Sequence, residues 1–174
     1  YVPVREFTEK GHYNNQGTNY GAGREVATAY AYALITGMGA AEPYPITDLA
    51  ETALSWIYMK RPDGNIFYDG DIYSARKAPF DYYSSGSAAA LICSAKANNG
   101  YLKSEYFKQT QTFSDGRIYQ SFSDGSPVLQ LIMNSPKLKA ENIANLPRSR
   151  YMGSPYGIMT ARTSWNEGED AESV

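Results

Sequence analysis

Apolar positions recur at helical spacing through most of the chain and shift to a period of two near its end. The first such run predicts a helix from about Thr18 to Met38, with Val26, Tyr30, Ala33, Leu34 and Gly37 in one stripe and Gly39 ending it. Ala22, Ala27, Ala29 and Ala31 surround that stripe, which implies a helix buried on more than one side. Pro43 and Pro45 break the pattern. Asp48 and Glu51 then form a capping-box pair ahead of Leu49, Ala53, Leu54, Trp56 and Ile57, and Lys60, Arg61 and Pro62 close this second helix. A third helix is expected from Ser87 to Asn98, with Ala88, Leu91, Ile92 and Ala95 in register and Gly100 at its end. Shorter helices follow at Leu102 to Gln109 and, after the Ser126-Pro127 start signal, at Val128 to Asn134.

From Pro147 the texture changes. Gly, Pro and Ser punctuate short runs in which Met159, Ala161, Thr163 and Trp165 alternate with more polar residues, the pattern of strands. The expected organisation is a helical array over 1–147 and the beginning of a β domain over 148–174. The closing ARTSWNEGEDAESV alternates toward a further strand, so the expectation is a portion of a larger α+β protein.

Composition narrows the picture modestly. A chain of 174 residues with 43% hydrophobic content can build a core. A net charge of -2 without a Lys/Arg run argues against a nucleic-acid or membrane-surface partner held by bulk electrostatics. Sixteen tyrosines raise the aromatic share to 14%, and rings beside amides suit sugar surfaces as well as cores. Cys93 lies in an apolar helical pattern and reads as a small buried hydrophobe. Neither a spanning apolar run nor the regions of a signal peptide are seen.

The richest chemistry lies in Gly11 to Arg24, GHYNNQGTNYGAGR, which holds the only histidine, His12. Asn15, Gln16, Tyr20 and Arg24 accompany it around Gly17, Gly21 and Gly23. Polar groups in a loop feeding a helix are well placed to meet a ligand, because the helix fixes what the loop exposes. One histidine and one distant cysteine offer no metal-ligand cluster, so no cofactor is expected in this stretch.

Several segments together resemble the heparinase II/III-like polysaccharide lyases, a family that includes alginate lyases. These are His12 with Gln16-Gly17 and Tyr20, Trp56-Ile57 leading into Arg61-Pro62-Asp63-Gly64, Gly70-Asp71, and Met159-Thr160-Ala161-Arg162 with Ser164-Trp165. The resemblance implies part of an incomplete α/α toroid followed by the first strands of an antiparallel β-sandwich. It implies β-elimination on an anionic, uronic-acid polysaccharide such as heparin, heparan sulfate or alginate, in a periplasmic or secreted setting. A metal in the β domain of the whole protein is allowed by the resemblance, with ligands beyond Val174.

Carried onto this sequence, the family's proton-transferring tyrosine falls on Tyr68, with Tyr73 as the alternative register. An ordinary tyrosine has a pKa near ~10 and needs a neighbouring cation to act as a base. Arg24, Arg61 and Arg76 are the candidates. His12 serves either as base or as the group that neutralises the uronate carboxylate, and Asn15, Gln16, Tyr20 and Arg24 bind substrate. Gly11 stands where some relatives carry asparagine. Two other readings remain open: a toroidal glycoside hydrolase using Asp69, Asp71 or Asp81, and a non-catalytic glycan-binding module.

Overall fold

The structure, a computed structural model, describes residues 5–13, 17–63, 66–67, 69, 87–110, 127–154 and 157–166. Among them run five α-helices: α1 (Gly17–Gly37), α2 (Ile46–Tyr58), α3 (Ser87–Lys96), α4 (Gly100–Thr110) and α5 (Pro127–Met133). A π-turn at Phe7–Gly11 precedes them, and a 3₁₀ turn at Ile143–Asn145 leads into an antiparallel hairpin of β1 (Ser149–Met152) and β2 (Ile158–Ala161). Helices first and strands last is the expected order.

The core forms where α2 and α3 meet, because both are apolar on nearly every side. Leu49, Ala53, Trp56, Ile57 and Tyr58 of α2 join Ala88 to Cys93 of α3, all essentially without exposure. Full burial at about 25 cal/mol per Å² makes these two helices the main source of stability. Burial also pushes the Cys93 thiol well above its usual range.

Helix α1 departs from the expected burial. Its covered line is Gly21, Glu25, Ala29 and Tyr32, whereas Leu34 is exposed along with Ala27 and Ala31. One stripe faces α2 and α3, and the alanines on the other side meet solvent. A carboxylate in the buried line is what a hydrophobicity pattern passes over.

Three boundaries are corrected. Asp48 does not cap α2: the helix starts at Ile46 behind Pro45, which makes no side-chain cap, and the Glu51 carboxylate accepts instead from Arg150. Burial of Ile46 draws the start forward, and the fixed φ of proline suits the position just outside. Lys60 lies beyond the end of α2, pairing with Ile66 in an isolated bridge. Gly100 does not end α3 but opens α4; Asn98 takes the left-handed conformation at φ 54. Glycine is needed at position 100 because a Cβ there would lie 2.6 Å from Lys139 O.

The hairpin lies along α2. Arg150 Nη2 donates to Glu51 O at 3.1 Å and Oε2 at 2.7 Å near one end of the helix, and Arg162 reaches the carbonyls at the other. Cross-strand partners Arg150 and Thr160 face inward while the partners Tyr151 and Met159 are exposed. The period of two holds, but β2 ends at Ala161, and Thr163 to Trp165 leave the ladder.

Candidate functional site

The loop that carries His12 is shaped by the hairpin turn. The backbone reverses after the π-turn, with His12 N donating to Thr8 O at 3.2 Å and His12 itself at φ 50. Gly11 permits this because Ser154 O would lie 3.1 Å from a Cβ at that position. Half-buried His12 looks toward the first turn of α2. Burial raises the Asp48 carboxyl above the usual range, His12 and Arg5 pull it back down, and Glu9 and Glu51 push it up.

Beyond His12 the loop meets a second loop, from the far side of α2. Tyr13 is buried, and its hydroxyl donates to Asp69 Oδ2. Gly17, at φ 72, comes so close to the same residue that a Cβ would lie 2.6 Å from Asp69 O. Asp69 follows Phe67, whose N–H donates to Met59 O at 2.9 Å, so the junction is tied to the carboxyl end of α2. Two polar loops far apart in sequence therefore converge on one carboxylate.

Tyr20 and Arg24, four residues apart, share an exposed face on the first turns of α1. Arg61 pairs with Asp63 at 2.8 Å on the surface. Asn15, Gln16, Tyr68, Asp71, Tyr73, Arg76 and Asp81 lie outside the described residues.

A cavity of about 320 Å³ opens where α2 ends, between α4, the 3₁₀ turn and the end of the hairpin. Its wall includes Ile57, Lys60, Arg61 and Pro62 from α2 and beyond, Ser104, Glu105 and Lys108 from α4, Asn142 to Ala144, and Arg162, Trp165 and Asn166. Arg162 Nη2 donates to Tyr58 O at 2.9 Å and to Lys60 O at 3.0 Å, while its guanidinium stacks 4.0 Å from the Trp165 ring. Trp165 Nε1 in turn donates to Leu146 O at 2.9 Å. Lys60 lies 3.9 Å from the fully buried Glu105 carboxylate. Tyr58 is packed beneath; burial raises its hydroxyl and the two arginines, Arg150 and Arg162, pull it back.

Sequence reasoning quoted Arg61, Arg162 and Trp165 but gave the last two no role. Only the fold, which brings residues a hundred positions apart to one wall, reveals it. None of His12, Tyr20 and Arg24 lines this cavity. No known family matches the chain, and no curated protein is significantly similar to it.

Proposed function

We propose that this chain is part of a polysaccharide lyase that cleaves a uronic-acid polymer by β-elimination. The observation that carries the reading is the junction at Asp69, where Tyr13 and Gly17 of the His12 loop meet the residue that directly follows Tyr68 in sequence. A lyase needs two such loops beside one sugar. One group must neutralise the uronate carboxylate so that charge can develop at C5, since stabilising developing charge is often the largest catalytic contribution. A base then takes the C5 proton, the C4–C5 double bond forms, the C4–O bond breaks, and an acid protonates the departing oxygen. In this reading Tyr68 is the proton-transfer residue, with Tyr73 its alternative, and His12 either neutralises or abstracts. Asn15, Gln16, Tyr20 and Arg24 hold the polymer. The engagement of Asp69 by Tyr13 gives that carboxylate a positioning role, which favours elimination over hydrolysis. The helices then belong to an incomplete α/α toroid and the hairpin to the start of a β-sandwich, in a periplasmic or secreted protein.

The test is an ultraviolet time course with heparin, heparan sulfate, alginate and hyaluronan, following the conjugated double bond of the product. A rise with one polymer is expected, and Tyr68→Phe should lower the rate about 10²- to 10⁴-fold with little change in binding. Reducing ends without the absorbance would replace the reading with hydrolysis. Binding without either signal would make the chain a glycan-binding module.

A further inference from the structure

Helix α1 turns toward solvent a face that is unusually apolar for its exposure. Tyr20, Arg24, Ala27, Ala31, Leu34 and Met38 are all exposed, and their spacing of 4, 3, 4, 3 and 4 keeps them in one line along the helix. Met38 lies just past Gly37 but continues the turn, its N–H donating to Leu34 O at 3.0 Å. A solvent-facing line is ordinarily charged or polar. Here Leu34 is 64% and Met38 79% exposed, and Arg24 is the one charge among the six. Glu25, the other charge of the helix, is buried. Apolar lines of this spacing are seams against which a second helix packs.

The order of side chains along the line says which helix fits. Large residues stand toward both ends and alanines in the middle. Two copies of α1 laid antiparallel about a twofold axis between Ala27 and Ala31 set Tyr20 against Met38 of the second copy, Arg24 against Leu34, and Ala27 against Ala31. Each contact then occurs twice, as an isologous interface requires. Ring on thioether is a favourable contact, and the stem of Arg24 covers Leu34. Charge selects the same orientation. The last turn of α1 has no basic residue of its own, and the antiparallel pair brings Arg24 of one copy close to that carboxyl end of the other. The two Arg24 residues are then offset by ten positions, or ~15 Å, where their repulsion is screened. A parallel pair would set them side by side. The line is ~27 Å long, and a helix pair of that length buries on the order of 1,000 Å² in total, the lower bound for a specific interface. The association is therefore weak and depends on concentration.

We propose that α1 pairs antiparallel along this line with α1 of a second copy of the chain. The pairing does not rest on the lyase reading, but it covers Tyr20 and Arg24, which that reading gives to the polymer. Under that reading substrate and second copy compete for one face.

Sedimentation velocity over rising concentration should show monomer passing to dimer. Leu34→Glu, with circular dichroism unchanged, should weaken the dimer at least about tenfold by placing a charge in the seam. Leu131→Glu, on the exposed face of α5, should leave it unchanged. Oxidation should link the double variant Tyr20→Cys with Met38→Cys into disulfide dimers and neither single variant, because only the antiparallel register brings these positions together. Cys93 is buried and takes no part. A chain monomeric at every concentration, a dimer lost with Leu131→Glu but kept with Leu34→Glu, or disulfide dimers from either single variant would overturn the proposal. Heparin or alginate should return the dimer to monomer. A dimer that no uronate polymer disturbs would keep the pairing and take Tyr20 and Arg24 out of the lyase reading.

Discussion

The two ends of α2 treat charge differently. At the amino end Asp48 and Glu51 sit in the first turns, and Arg150 pairs with Glu51 at 2.7 Å while His12 and Arg5 offset Asp48. At the carboxyl end the cations Lys60 and Arg162 meet the last carbonyls and Glu105. Both ends satisfy the helix dipole, acids first and cations last. They differ in what the pairs surround. At the amino end the pairs join α2 to the hairpin, whereas at the carboxyl end the pairs of Lys60 with Glu105 and of Arg61 with Asp63 border an open cavity. Paired charge explains how the hairpin is fastened at both ends of the helix.

The largest effect expected is from Arg162→Ala, which takes a donor from the carbonyls of Tyr58, at the end of α2, and of Lys60, just beyond it, and removes the stack on Trp165. Unfolding free energy in urea should fall by about 2–4 kcal/mol. Gly17→Ala comes next, because neither φ 72 nor the approach to Asp69 suits a side chain. A loss of about 1–3 kcal/mol is expected, together with loss of any turnover that depends on the junction. Arg150→Ala at the amino end should cost about 1 kcal/mol, since its partner Glu51 is 39% exposed and well hydrated. A cost equal to that of Arg162→Ala would erase the contrast between the ends.

The smallest effect belongs to Asp48→Asn. The folded state raises the Asp48 carboxyl, so it prefers the protonated form, and stability falls as pH rises through the folded pKa. The asparagine variant should therefore be slightly more stable than the parent at pH 7, with the difference vanishing below about pH 4. Thermal melts across that range check it, and a destabilised variant at pH 7 would mean that the dipole of α2 outweighs burial.

Most of the helical framework was legible because its apolar spacing is local. Ser87 to Lys96 and Pro127 to Met133 fall close to the expected positions, as does the switch to strands near Ser149. What failed depended on distant partners. The Asp48–Glu51 pair looks like a cap until Arg150, ninety-nine residues on, takes Glu51. Gly100 looks like a stop until Lys139 arrives against it. For the same reason the meeting of Tyr13 and Gly17 with Asp69 was not legible, and Asp69 stood out only as a carboxylate beside a glycine. The cavity could not be foreseen, since its cations come from elements that only the fold assembles.

The hairpin has a bearing on the order in which the chain folds. Two strands of four residues bury too little to persist alone. Their anchors, Arg150 to Glu51 and Arg162 to Tyr58, span 99 and 104 residues. Closing such long loops is entropically costly, so the hairpin settles only after α2 offers a formed surface. In pulse-labelling hydrogen exchange, amides of β1 and β2 should gain protection after those of α2 and α3. Simultaneous protection would mean that strands and helices form as one unit.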